Sequence, residues 1–143
     1  MNHGADGARS ADSNVARLLE KARASLVRRT PEQAWLASTN GALLIDTRTD
    51  PQRRQQGELP VGLVIDRTVL EWRLDPTSPD RIPEAAGYDT EIIVVCRQGY
   101  SSSLAAHSLR SIGLWRATDM IGGVQAWLAA GLPVTDGPAD VRY

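Results

Sequence analysis

The chemistry in this sequence centres on one cysteine, Cys96, which closes the apolar run "EIIVVC" and is followed by "RQGYSSS". The apolar run predicts a buried strand, and "SSSLAAHSLRSIG" predicts a helix that ends at Gly113. A cysteine at the end of an apolar strand is commonly a small, inert core residue. Here, however, no aliphatic residue follows before Leu104. The thiol is therefore expected at a polar rim.

The loop between the predicted strand and helix is typical of a site for negative charge. A glycine at its centre permits a tight turn, which would aim the backbone N–H groups of residues 97–102 into one hollow beside the positive end of the helix dipole. These groups should favour the thiolate form of Cys96 and attract an anionic substrate. Arg97 would add a full positive charge, and hydroxyl groups would donate hydrogen bonds. The candidate substrate-binding residues are Arg97, Gln98, Gly99, Tyr100, Ser101 and Ser102.

Apolar periodicity predicts the elements that hold this loop. Residues 14–29 have helical spacing, and Thr30 with Pro31 and Gln33 predicts the capped start of a second helix. The predicted strands are "ALLIDTR", "LVID", "EIIVVC" and "RATDM", and the last predicted helix is "VQAWLAAG". Strands that alternate with helices indicate an α/β fold with a mostly parallel sheet covered by helices on both faces. We expect a flexible tail over residues 1–13 and one domain over residues 14–143, with its core at about 42–134.

Length and composition narrow the classes of function. A chain of 143 residues is sized for one domain, and its formal net charge of −1 gives no sign of a nucleic acid or an anionic membrane as partner. With a single cysteine, no internal disulfide can form, which favours a reducing, cytoplasmic setting. No residue pattern predicts a metal site or a cofactor.

Other charged residues are candidates for supporting roles. Asp46 and Arg48 follow a predicted strand, and we expect this pair to brace loops near the site more than to bind substrate. Arg53 and Arg54 are expected on a solvated surface. His107 is rejected as a catalytic base, because helical periodicity places it on the outer side of its helix together with Ser103 and Arg110.

Two segments resemble the C-terminal half of a rhodanese-like (thiosulfate sulfurtransferase) domain: "VVCRQGYSSSLAAHSLRSIG" and "ATDMIGGVQAWLAAGLPV". "LLIDTR" is similar to the Asp-x-Arg strand of that family, so the resemblance covers roughly residues 42–134. It implies that Cys96 is a nucleophile that takes sulfane sulfur from thiosulfate or another persulfide donor. The resulting persulfide would pass its sulfur to cyanide, to a small thiol or to a protein acceptor. Since there is no second cysteine, the acceptor must come from outside the chain.

Departures from the family pattern keep alternatives open. Ser101 stands where many members have Arg or Thr, and Glu58 replaces a common histidine. A cysteine-dependent phosphatase needs arginine at the sixth position after the cysteine, and Ser102 occupies that position. The other alternative is a non-catalytic interaction module or a persulfide carrier for one partner. The extra N-terminal helix would either pack on the domain or mediate self-association as a homodimer.

Overall fold

Parallel strands form one sheet in the computed structural model, which describes residues 13–143. The sheet confirms the predicted α/β class, because its neighbouring strands all pair in parallel. Its order is β4-β3-β1-β2-β5. The strands are β1 (Leu43–Asp46), β2 (Gly62–Val64), β3 (Ile92–Val95), β4 (Ala117–Asp119) and β5 (Asp140–Val141).

Helices cover both faces of the sheet, as predicted. Alternate residues of β3 point to opposite faces, so Ile92 and Val94 pack with Leu109 in one apolar cluster. Ile93 and Val95 pack with Trp127 in the other. The helices are α1 (Asn14–Arg23), α2 (Pro31–Thr39), α3 (Asp50–Gln56), α4 (Leu70–Leu74), α5 (Ser101–Ser111) and α6 (Gly123–Ala129), with a 3₁₀ turn at Arg67–Val69.

Helix α3 occupies a segment whose prolines and glycines predict a loop with one helical turn. Thr49 accepts a hydrogen bond from the Gln52 N–H, and the Gln52 side chain accepts one from the Thr49 N–H. This reciprocal capping box, with a proline in the first turn, starts a helix of seven residues. The same device starts α2 at Thr30, where the sequence does predict it.

The N-terminal helix is shorter than predicted, because α1 ends at Arg23 and not at Arg29. The residues after it run along β4: Arg29 N–H donates to Asp119 O (3.0 Å), and Ile121 N–H donates to Arg29 O (2.8 Å). Pairing with an otherwise open sheet edge satisfies backbone groups there, and this outweighs the helical spacing of the side chains. Helix α1 packs against α5. Of the predicted tail, residues 1–12 lie outside the described residues, and Ser13 caps α1.

Strand β5 extends the domain beyond the predicted core. It pairs with β2, and Arg142, directly after it, forms an ion pair with Glu84 (2.6 Å) and another with Asp140 (2.7 Å). The segment has no apolar run that would predict a strand, so long-range pairing decides its conformation.

The two-cluster core makes a simple prediction for stability. Leu109→Ala should lower the free energy of unfolding by about 2–5 kcal/mol, because it removes a fully buried side chain and leaves a cavity. Leu128→Ala, at a side chain that is 39% exposed, is the matched control and should stay within about 0.5 kcal/mol. Urea denaturation measures both variants; equal losses would contradict the assigned packing.

Candidate active site

Cys96 lies directly after β3 at the C-terminal edge of the sheet, where ligands collect in open α/β folds. Its side chain is buried, with 5% of the residue exposed, and it lies at the wall of a cavity of about 240 Å³. The cavity is lined by Thr47, Gln52, Cys96, Arg97, Gln98, Tyr100 and Ser101. The structure thus brings five of the predicted site residues together.

Sequence reasoning missed Thr47 and Gln52 as members of this wall. Thr47 follows β1, the neighbour of β3, and the ends of neighbouring parallel strands meet at one edge. The position of β1 next to β3 is the information from which Thr47 could have been predicted as a residue of the site. Gln52 reaches the cavity through α3, and the capping box of Thr49 and Gln52 is the sequence signal for that helix.

Three carbonyl groups of the cysteine loop accept hydrogen bonds from donors outside it. Val124 N–H donates to Cys96 O (2.9 Å), and Gln125 N–H donates to Arg97 O (3.0 Å), both from the first turn of α6. A third loop carbonyl, that of Gly99, accepts from the guanidinium groups of Arg23 (2.8 Å) and Arg28 (3.1 Å).

The N–H groups of the same loop are left for the sulfur and for the cavity. Gly99 N–H donates to Cys96 Sγ at 3.1 Å. Within residues 13–143, the loop N–H groups that donate no hydrogen bond are those of Arg97, Gln98, Tyr100, Ser101 and Ser102. The first N–H groups of a helix have no partner within it, and together with the free N–H groups of the loop before it they form a place beside the cysteine where an anion can bind.

Glycines allow the cysteine loop to lie directly on the turn before α6. Gly99 has φ +88°, and a Cβ there would lie 2.6 Å from Gly122 N. Gly123 has φ +62°, and a Cβ there would lie 2.4 Å from Cys96 O. Any side chain at either position would collide with backbone atoms. Gly122 and Gly123 in the sequence predict a turn and a helix start, and α6 does begin there. Gly123 in addition lies directly against the cysteine loop and so fixes its position.

A buried carboxylate, Asp119, anchors the start of α5 beneath the loop. Its Oδ2 accepts hydrogen bonds from Ser102 Oγ and Ser103 Oγ, each at 2.7 Å, and its Oδ1 accepts from Arg28 Nε at 2.8 Å. Two expectations need correction here. The Ser102 hydroxyl is directed to Asp119 and not toward a bound anion, and Ser103 is buried, not outward-facing. A buried charge needs such partners, and they outweigh helical periodicity.

Asp46 and Arg48 form a buried ion pair that does not line the cavity. Arg48 donates to Asp46 through Nε (3.0 Å) and Nη2 (2.8 Å), and also to Gly57 O (2.9 Å). The pair joins the end of β1 to the end of α3. This geometry is that of a brace between the two elements that supply Thr47 and Gln52.

Arg53 and Arg54 differ in environment, although both were expected on a solvated surface. Arg53 is buried, forms an ion pair with Glu58 (3.1 Å) and donates to Arg48 O (3.0 Å), so the expectation is wrong for this residue. The Arg54 side chain is 80% exposed. Glu58, which replaces a common histidine, is thus the partner of a buried arginine.

The mouth of the cavity is exposed and carries positive charge. Arg97, Gln98 and Ser101 are exposed, and Tyr100 is 63% exposed. Among the described residues Arg97 forms no ion pair, and the lining contains no carboxylate. His107 is exposed on α5, as predicted, away from the cavity lining.

Within residues 13–143, no three or more His, Cys, Asp or Glu side chains lie together so that they could hold a metal ion. No helix within that range is both long and apolar enough to cross a membrane.

Comparisons with known proteins agree with this fold. A sequence profile of the rhodanese-like domain matches residues 30–130. A sulfurtransferase of Allochromatium vinosum is 32% identical over 99 residues, which is 69% of this chain and 83% of that protein. The thiosulfate sulfurtransferase GlpE of Haemophilus influenzae is 30% identical over 73% of this chain and 90% of its own.

The chain therefore belongs to the rhodanese-like domain family. A solved structure with a similar fold is a protein of unknown function from Rhodopseudomonas palustris, described as a possible tyrosine phosphatase. It aligns with a TM-score of 0.77 and 26% identity over 87% of this chain and 96% of its own. The phosphatase chemistry does not fit this chain, because Ser102 stands where an arginine would grip the phosphoryl oxygens and is itself buried on Asp119.

The glycine contact predicts a specific sensitivity. Gly123→Ala should lower the alkylation rate of Cys96 and destabilise the fold, because the new methyl group would displace the backbone of the cysteine loop. Gly131→Ala is the matched control: it also has positive φ (+74°) but nothing within 4 Å of a Cβ. Both variants should lose about 1–2 kcal/mol for the left-handed backbone, and only Gly123→Ala should change Cys96. Equal alkylation rates in the two variants would refute the contact.

Proposed function

We propose that this protein is a sulfurtransferase that carries sulfane sulfur as a persulfide on Cys96, with thiosulfate as a donor. The observation that carries the proposal is the arrangement around the sulfur. The loop carbonyls of residues 96, 97 and 99 are bound from outside, one N–H already reaches Sγ at 3.1 Å, and neighbouring loop N–H groups are unengaged. Such donors stabilise negative charge on sulfur and on a bound anion without a metal.

The reaction follows from a nucleophile in an anion cradle. The Cys96 thiolate attacks the outer sulfur of thiosulfate, a new S–S bond forms, and the original S–S bond breaks as sulfite leaves with the bonding electron pair. The persulfide keeps one negative charge on its terminal sulfur. An acceptor nucleophile then attacks that sulfur, and the Cys96 thiolate is released with the electron pair of the broken bond. This is a two-step covalent scheme, for which ping-pong kinetics are expected.

The size and charge of the cavity favour a small anion as donor. Its volume of about 240 Å³ leaves space for a molecule of a few heavy atoms beside Cys96. No carboxylate in the lining opposes an anion, and Arg97 at the mouth supplies a cation without an ion-pair partner among residues 13–143. The cavity lining also contains the polar side chains of Ser101, Gln98, Gln52 and Thr47.

The acceptor must be a separate molecule, because Cys96 is the only thiol in the chain. Cyanide and small thiols match the size of the cavity. The exposed ring of Tyr100 beside the opening also gives a protein acceptor a surface to contact. A single free thiol suits a reducing, cytoplasmic location.

Persulfide formation separates the proposal from an interaction-only module. After incubation with thiosulfate, intact-mass spectrometry should show the added mass of one sulfur atom on wild type, and Cys96→Ser should show none while keeping the wild-type unfolding midpoint. A wild-type protein that stays unmodified would contradict sulfur transfer and support a binding module.

Arg97 has a predicted role in donor binding. Arg97→Ala should raise the KM for thiosulfate roughly tenfold and change kcat much less, because an exposed charge attracts the dianion without contacting the bond that breaks. Arg54→Ala, which removes another exposed arginine, is the control and should leave both constants unchanged. A fall in kcat without a rise in KM would contradict this role.

A further inference from the structure

Two arginines from the N-terminal segment converge on one carbonyl of the active loop. Arg23 Nη2 donates to Gly99 O at 2.8 Å, and Arg28 Nη2 donates to the same oxygen at 3.1 Å. Arg23 is the last residue of α1, and Arg28 lies in the extended segment beside β4. Both precede residues 30–130, the range that matches the family profile.

Each arginine is held in place by a second contact. Arg28 binds Asp119 through Nε (2.8 Å) and Nη2 (3.1 Å), and Asp119 is completely buried. Arg23 Nε donates to Ser103 Oγ at 2.9 Å, and Ser103 Oγ donates in turn to Asp119. The two guanidinium groups and the loop therefore share one hydrogen-bonded network.

The position of the two cations is electrostatically costly. Burial, followed by the charge of Arg28, lowers the pKa of Arg23 from its ordinary value, while Asp119 acts in the opposite direction. Two guanidinium groups that bind one carbonyl oxygen repel each other, and a single surface contact does not account for this arrangement. The peptide that they bind gives the arrangement a functional role.

The Gly99 carbonyl belongs to the same peptide unit as the Tyr100 N–H, one of the unengaged donors of the cysteine loop. Charged donors on the oxygen draw electron density toward it, and this makes the N–H at the other end of the peptide a stronger donor. They also hold the peptide in one orientation, which lowers the cost of binding an anion at that N–H.

We propose that Arg23 and Arg28 are positioning residues for sulfur transfer, which fix and polarise the Gly99–Tyr100 peptide so that its N–H stabilises negative charge on the Cys96 sulfur. The inference rests on the proposed function. It assigns the N-terminal segment a part in catalysis.

Arg23→Gln tests the inference most cleanly, because Arg28 remains to neutralise Asp119. We expect kcat for transfer from thiosulfate to fall roughly tenfold, the scale of weakening one charge-assisted hydrogen bond, with less than about a threefold change in KM. Lys21→Gln removes one exposed positive charge from the same helix and should leave both constants unchanged. Arg23→Lys keeps the positive charge but loses the planar guanidinium group with its several N–H donors, so an intermediate kcat is expected.

A second readout separates this inference from the proposed function. Alkylation of Cys96 by iodoacetamide at neutral pH needs the thiolate but no sulfur donor, and its rate should also fall in Arg23→Gln. If wild type fails to gain sulfur from thiosulfate while Arg23→Gln still alkylates more slowly, the sulfur-transfer proposal is wrong and the role of Arg23 on the thiolate stands.

The unfolding midpoint of each variant is measured alongside these rates. A folded Arg23→Gln with wild-type kcat and alkylation rate would overturn the inference, as would an equal loss in Lys21→Gln. If Arg23→Gln does not fold, Arg23→Lys decides: unchanged rates in that folded variant would equally overturn the inference.

Discussion

The site depends on how the peptide groups of one loop are oriented. Carbonyls of residues 96, 97 and 99 are bound by donors outside the loop, so that the N–H groups are left for Cys96 and the cavity. Because these carbonyls are already held in place, the loop spends no free energy on reorganisation when negative charge develops on the sulfur. The loop thus provides positive potential from main-chain dipoles, and Arg97 adds to it at the mouth.

Three parts of the fold maintain that orientation. The first turn of α6 binds two carbonyls, and glycines 99 and 123 let the two backbones touch. Asp119 at the end of β4 anchors the first turn of α5 through two serine hydroxyls. The N-terminal segment adds two guanidinium groups to the remaining carbonyl. Each part comes from a different stretch of the chain, so the geometry around Cys96 requires the folded domain.

Local signals in the sequence predict the nucleophile and its setting. The apolar run before Cys96, the glycine in the loop and the helix after it give the strand, the turn and the cradle. These local signals do not predict contacts between segments that are distant in the sequence. The periodicity of residues 14–29 reads as one helix, but residues 27–29 bind to β4. Ser103 looks exposed from helical spacing, but it is buried because the carboxylate of Asp119 on another element binds it. Arg53 looks exposed from composition, but it is buried against the Arg48 carbonyl and the Glu58 carboxylate, which are near in sequence and come close only once α3 has formed.

The most direct measurement is a crystal structure of the protein after loading with thiosulfate. The account predicts extra density for one sulfur atom bonded to Cys96 Sγ, with that atom within hydrogen-bonding distance of the N–H groups of the loop at residues 97–102. A terminal sulfur that points away from these N–H groups and is held only by side chains would contradict the account.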